Sequence, residues 1–182
     1  MPAETEAKII LGDCGLLERV EVKLRGLGAV FLEEKREEDT YYQHPCRDFA
    51  ETDEALRIRR HGERPPELTY KGPKRVVGGA KTRQEETVTL SDGEAMHRIL
   101  LALGFRPVAT VVKTRRYYRL GDVLVTLDKV EGLGCFLEAE YQGSGRPEEA
   151  IQAIEGALAR LGVEKLPRTT LSYLELLLHK QR

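Results

Sequence analysis

The chain reads as an α+β protein whose antiparallel sheet curls toward closure with helices packed against it. Three observations carry that reading. Its strand-like segments alternate charged and apolar residues with a period of two, so each has two distinct faces. A helix precedes the strands in each half of the chain. Residues 27–42 also align without a gap on 103–118, matching Leu27 with Leu103, Gly28 with Gly104, Tyr41 with Tyr117 and Tyr42 with Tyr118. Both segments leave a helix through Leu-Gly and run extended into a Tyr-Tyr pair, which points to two related halves with approximate twofold symmetry. Long antiparallel strands following a helix, twice over, argue for a sheet that bends toward a barrel.

The elements follow in order. Glu4, Glu6 and Lys8 share one face of a first strand. Gly12-Asp13 offers a helix N-cap, and Leu16, Leu17, Val20, Leu24 and Leu27 recur at helical spacing up to Gly28. Residues 29–43 are extended, and 54–60 and 67–71 form a strand pair turned by Gly62 to Pro66. The run GPKRVVGGAKTR from Gly72 to Arg83 is rich in glycine and basic residues and is expected to be a mobile loop, not a packed element. Ser91-Asp92-Gly93-Glu94 reads as a capping box for a helix through Ile99, Leu100 and Leu103 to Gly104. Three strands are expected near 108–119, 122–130 and 135–142. Pro147 then opens a helix with Ala150, Ile151, Ile154, Leu158 and Leu161 on its apolar stripe, closed by Gly162. A last helix is expected from about Thr170.

Composition narrows the function. The 182 residues fit a single domain spanning 1–182. Charged residues make up 32% of the chain, yet the net charge is only −1, which argues against a nucleic-acid polymer as partner. Met1-Pro2-Ala3 is followed at once by charge, and no run approaches the roughly 18 apolar residues of a membrane span. No membrane partner and a cytoplasmic location are therefore expected. Cys14, Cys46 and Cys135 are odd in number and far apart, so free thiols are expected, and the four scattered histidines show no zinc spacing.

The chemistry lies in the charged parity of the strands. Leu56 and Ile58, Leu68 and Tyr70, Val123, Val125 and Leu127, and Leu137 and Ala139 form the apolar faces. Opposite them stand Arg57 and Arg59, Thr69 and Lys71, Lys113 and Arg115, Asp128, and Glu138 and Glu140. That face either meets water on an open sheet or lines the inside of a barrel. Its acids collect on the first and last strands and its bases between them, unlike the mixed composition of an ordinary solvated face. Enclosed, such charges need a ligand, because desolvating each ion costs several kcal/mol unless partners are present. A triphosphate would match the cations, and hard cations such as Mg²⁺ or Mn²⁺ would separate it from the carboxylates.

Glu4-x-Glu6-x-Lys8, ALRIRR at 55–60, LTYKGPK at 68–74, VVKTRRYY at 111–118 and LDKVEGLGCFLEAE at 127–140 together resemble the CYTH superfamily of triphosphate tunnel metalloenzymes. Lys71-Gly72-Pro73 and Val130-Glu131-Gly132-Leu133-Gly134 are most similar to its class IV adenylyl cyclase branch. The resemblance runs in order over nearly the whole chain, to Ser172-Tyr173-Leu174-Glu175-Leu176. It implies a closed or nearly closed eight-stranded antiparallel tunnel flanked by helices. Position by position, Glu4, Glu6, Asp128, Glu138 and Glu140 would hold Mg²⁺ or Mn²⁺, and Lys8, Arg57, Arg59, Lys71, Lys113 and Arg115 would bind the triphosphate. Glu4, Glu6, Lys8, Asp128 and Glu138 form the implied catalytic set, and Glu85 joins the acidic lining. Thr87, Thr170 and Leu171 depart from the family pattern, which favours an acid at the first position and a base near the other two. The implied reaction converts ATP to 3′,5′-cyclic AMP and pyrophosphate. Hydrolysis of inorganic triphosphate, thiamine triphosphate or a nucleotide is the alternative enzyme reading, and non-catalytic polyphosphate or nucleotide binding the alternative of another class. Homodimerisation is an expectation at family level. The four paired tyrosines are expected to pack, not to stack on a base.

Overall fold

The computed structural model describes residues 3–77 and 80–180. The chain folds as β1 (Ala3–Gly12), α1 (Cys14–Gly26), β2 (Val30–Gln43), α2 (Phe49–Thr52), β3 (Ala55–His61), β4 (Arg64–Lys71), β5 (Arg75–Val77), β6 (Ala80–Thr89), α3 (Gly93–Ala102), β7 (Arg106–Leu120), β8 (Val123–Val130), β9 (Gly134–Tyr141), α4 (Pro147–Leu161), β10 (Arg168–Thr169) and α5 (Tyr173–Lys180). Eight antiparallel strands close in the order β1-β9-β8-β7-β2-β3-β4-β6, with β6 returning to β1. Short β5 and β10 extend the sheet beyond β6 and β1. The sheet is thus a closed barrel, and closure leaves its main strands no long open edge.

The expected halves appear as two β-α-β-β-β units, β1-α1-β2-β3-β4 and β6-α3-β7-β8-β9. Their relation is visible in the register. Glu37 on β2 pairs with Lys113 on β7, which stands 76 positions after it, the offset found in the sequence. Glu4 pairs with Arg83, 79 positions on, the same separation as the helix N-caps Asp13 and Asp92. The two offsets differ by the three extra residues of α1, which has 13 where α3 has 10. A pseudo-twofold axis therefore passes through both seams, and Glu37 faces Lys113 across it.

Local chemistry explains the helices. Asp13 caps α1 by accepting from Gly15 N, and Leu17, Val20 and Leu24 are its buried stripe. The cap of α3 is Asp92, accepting from Glu94 N and Ala95 N, so the helix starts one residue later than the expected box at Ser91, and with Ala95 at N3 that box does not form. Pro147 opens α4, and Gly162 ends it at φ +71°, a left-handed value suited to glycine. The last helix starts at Tyr173, later than expected from Thr170, because Arg168 and Thr169 pair with β1. Ser172 and Glu175 then bond reciprocally, Ser172 N to Glu175 Oε2 at 2.7 Å and Glu175 N to Ser172 Oγ at 3.2 Å.

Apolar residues fill three places. Outside the barrel, α1 and α4 cover Ile9, Val125, Leu127, Leu137 and Ala139. On the other half, α3 brings Leu100 to Leu56, Ile58 and Tyr42. Inside, Tyr41, Val111, Val130, Phe136 and Tyr173 gather with Leu174 and Leu177, so the start of α5 plugs one end of the tunnel. Of the four tyrosines, Tyr42 and Tyr118 pack as expected, Tyr41 is buried and also borders the inner cavity, and Tyr117 lines that cavity.

Two expectations are corrected. Cys14 and Cys135 form a disulfide, with Cα atoms 5.3 Å apart. They are 121 residues apart in sequence, but the pairing of Gly12 with Cys135 brings them together, and only Cys46 remains free. Gly134 permits the close approach: it sits at φ +106°, and a Cβ there would stand 3.2 Å from Gly12 O. The described residues of 72–83 are likewise not an open loop, and the part of that expectation at 78–79 lies outside the described residues. Within it β5 and β6 form a hairpin, and buried Arg83 donates to the carbonyls of Gly72 and Asp53.

Candidate active site inside the barrel

The charged parity of the strands points inward. Lys8 from β1, Arg57 and Arg59 from β3, Lys71 from β4, and Lys113 and Arg115 from β7 all line one cavity of about 180 Å³. Glu6, Glu138 and Glu140 line it too, as do Glu85 and Arg83 from β6. The open choice between solvent and lumen is therefore decided for the lumen. All six cations expected at a triphosphate site meet there, with three of the five carboxylates expected to hold metal. Glu4 lies on β1 in register with Arg83; its side chain lies outside the described residues.

The cations arrive paired. Asp39 on β2 accepts from Arg59 Nε at 2.7 Å, Arg59 Nη2 at 2.8 Å and Lys113 Nζ at 2.9 Å, with Arg57 Nη1 at 3.4 Å. Glu37, two residues earlier and on the same face, lies 2.9 Å from Lys113 and 3.2 Å from Arg59, and accepts from Tyr117 Oη. Burial pushes both carboxyls up, but Lys113 and the arginines outweigh it: Asp39 is held well below its ordinary range and Glu37 falls to about 2. Burial wins at Lys113, whose ammonium is pushed down despite Asp39. Arg57 differs from its neighbours, since its buried Nε has no hydrogen-bond partner among the described residues. Lys71 bonds Glu85.

Asp128 takes another place. It is fully buried behind the lining, and Arg115 grips both its oxygens while Tyr173 Oη donates at 2.6 Å. Arg115 also bonds Glu138. Burial opposes the charge of Arg115, yet Asp128 and Glu138 outweigh it and hold the guanidinium well above its usual value. Lys8 bonds the Leu171 carbonyl at 3.1 Å, stands 3.1 Å from Glu138, and lies 4.0 Å from the Tyr173 ring centre. The segment from Leu171 to Tyr173 thus touches Asp128 and Lys8 together.

The remaining acids form a donor set of hard oxygens. Glu6 and Glu140 are directly paired across β1 and β9, and Glu138 lies two residues along the same face. Carboxylate oxygens on one inner face are the donor type that hard divalent ions prefer, so the chemistry of the set fits such an ion. Among the described residues no three acids are already gathered as a metal cluster, and Glu138 is occupied by Lys8 and Arg115.

Glu37, Asp39 and Tyr117 are site residues the sequence reading misses, while Arg83 from the basic 72–83 run and Tyr173 from the last motif also reach the site. On β2 the run Glu33 to Asp39 is charged on both parities, because the outer faces of β2 and β7 meet water and carry pairs such as Arg116 with Glu34. No apolar parity marks which side faces in. The usable signal was the 76-residue offset, which sets Glu37 against Lys113.

A closed eight-stranded barrel with a cation-rich, acid-bordered lumen defines a triphosphate tunnel domain. Residues 2–170 match the CYTH domain, and the chain belongs to that family, whose tunnel enzymes bind triphosphates and use divalent metals. It is 38% identical over 175 residues, 95% of this chain and 97% of its relative, to a Methanocaldococcus jannaschii protein, MJ0240, named as a candidate adenylate cyclase. The solved PH1819 protein from Pyrococcus horikoshii OT3 is 40% identical, with a TM-score of 0.82 over 97% of this chain and 99% of its own. The same fold recurs at 18% identity and a TM-score of 0.72, over 97% and 96% of the two chains, in a candidate adenylyl cyclase from Hippeastrum whose structural report describes a dominant triphosphatase activity. No helix among the described residues is long and apolar enough to cross a membrane.

Proposed function

We propose that this protein is a divalent-metal-dependent enzyme that binds the triphosphate of ATP in its tunnel and forms 3′,5′-cyclic AMP with release of pyrophosphate. The observation that carries the reading is the convergence of Lys8, Arg57, Arg59, Lys71, Lys113 and Arg115 on one cavity bordered by Glu6, Glu138 and Glu140. Arg57, whose guanidinium lines the cavity and makes a long 3.4 Å bond to Asp39, is the first grip on a phosphate oxygen. Arg59, Lys113 and Arg115 are fixed by buried carboxylates and supply a pre-oriented positive field for charge that develops on the leaving pyrophosphate. Glu6, Glu138 and Glu140, together with Glu4 from the first motif, would hold Mg²⁺ or Mn²⁺, which would neutralise the α-phosphate and make the ribose hydroxyl more acidic. The 3′-hydroxyl gives up its proton to solvent as its oxygen forms a bond to the α-phosphorus, the bond to the bridging oxygen breaks, and pyrophosphate leaves with that electron pair. The name carried by the 38% identical relative supports the nucleotide as substrate.

A second reading, hydrolysis of a triphosphate with release of orthophosphate, is favoured by the composition of the lining. Ala55 and Leu124 are the aliphatic residues there, and the Tyr117 and Tyr173 rings that also line it are already met by Lys35, Arg115, Lys8 and Phe136, which leaves little free surface for a base. One experiment separates the two. Purified protein is given ATP or inorganic triphosphate with Mg²⁺ or Mn²⁺, and cyclic AMP, pyrophosphate and orthophosphate are all quantified. Cyclic AMP and pyrophosphate in equal amounts support cyclisation; orthophosphate alone replaces it with hydrolysis. Undiminished turnover after exhaustive chelation would remove the metal from either reading.

A further inference from the structure

We propose that Asp39, with Glu37 beside it, is a positioning residue of the triphosphate site, keeping Lys113 charged and fixing Lys113 and Arg59 toward the cavity. The inference rests on the triphosphate chemistry just proposed. Lys113 is almost wholly enclosed, at 1% side-chain exposure. Arg59 faces it from β3, Arg115 from its own strand, and the Tyr173 ring from α5 at 5.9 Å, while Val130 is its neighbour on β8. Burial and both guanidiniums oppose its charge. The groups that favour that charge are the two β2 carboxylates, each 2.9 Å from Nζ.

Asp39 does more than balance charge. Its two oxygens take Arg59 through a pair of near-parallel bonds and Lys113 through a third. The forked geometry sets the guanidinium plane, and three held donors lose little further freedom when a phosphate arrives. A carboxylate so occupied has no reason to touch an anionic substrate. Its contribution passes through the cations, and neither Asp39 nor Glu37 is on the strands that carry the family-like motifs. Without Asp39, one carboxylate would face Lys113 against two arginines, and the ammonium would release its proton at lower pH.

The test is calorimetric binding of inorganic triphosphate at saturating Mg²⁺, from pH 7 to 9, to wild type, Asp39→Asn and the double variant Asp39→Asn/Lys113→Arg. Asp39→Asn should bind more weakly at pH 9 than at pH 7 by on the order of tenfold, with its alkaline loss at least about one pH unit below that of wild type. The double variant should lose this pH dependence, since a guanidinium stays charged throughout. An Asp39→Asn profile that matches wild type, or one weakened equally at every pH, overturns the proposal. Should Asp39→Asn fail to melt cooperatively, Glu37→Gln removes the other carboxylate at 2.9 Å and is read by the same criteria. Wild type that binds no triphosphate at any pH overturns the proposed function together with this inference, whereas binding with an unaltered variant profile overturns this inference alone.

Discussion

Replacing Asp128 by asparagine separates two roles for a buried carboxylate in this tunnel. A metal ligand held among other acids is under repulsion before metal binds, so neutralising it should stabilise the metal-free protein. An anchor for a buried guanidinium behaves in the opposite way. Asp128 is fully enclosed, grips Arg115 through both oxygens and accepts a 2.6 Å bond from Tyr173. Breaking a buried pair by removing one charge costs about 3–5 kcal/mol, because the partner is left buried and uncompensated. Glu138 still touches Arg115, and the asparagine carbonyl can keep one bond, so the lower end applies. A loss of about 3 kcal/mol lowers the melting temperature of a protein this size by about 6–12 °C. Thermal and urea unfolding in excess chelator, monitored by circular dichroism, reads this directly. A variant as stable as wild type without metal, or more so, would refute the anchoring argument and return Asp128 to the metal set.

Three further outcomes are expected. Arg57→Ala should weaken ATP and inorganic triphosphate by a similar factor, worth about 1.5–3 kcal/mol for a lost charge-assisted bond, and a selective loss of ATP would mean that the residue reads the nucleoside. Glu37 titrates at about 2 when folded against an ordinary 4.5, so the unfolded chain takes the proton first. Its stabilisation should be complete above about pH 4.5 and disappear as pH falls toward 2, and Glu37→Gln should flatten the melting temperature over that window. Without reductant the unfolded protein should show one titratable thiol, Cys46, and after reduction all three cysteines. Three thiols before reduction would exclude the Cys14–Cys135 bond.

Much of the barrel is legible in the sequence because side-chain parity along a strand is a local property. On β3, β4, β8 and β9 an apolar parity identifies the face under the helices, and the opposite parity is then the lumen. Arg57, Arg59, Lys71, Glu138 and Glu140 follow from that alternation, and the spacing of Leu-Gly stops and Tyr-Tyr pairs exposes the two halves. Helix ends are legible where a side chain caps its own backbone, as at Asp13, or where proline and glycine bracket the helix, as at Pro147 and Gly162. What the sequence leaves undecided depends on distances between residues far apart in the chain. Asp128 and Glu138 are acids on the same inner side of the sheet and both meet Arg115, but only Asp128 is gripped through both oxygens and closed off by Tyr173, while Glu138 lines the cavity. Cys14 and Cys135 meet only because β1 pairs with β9. Glu37 and Asp39 stay hidden because β2 is polar on both faces, and it is the closure of the barrel that turns one of those faces from water onto Lys113 and Arg59.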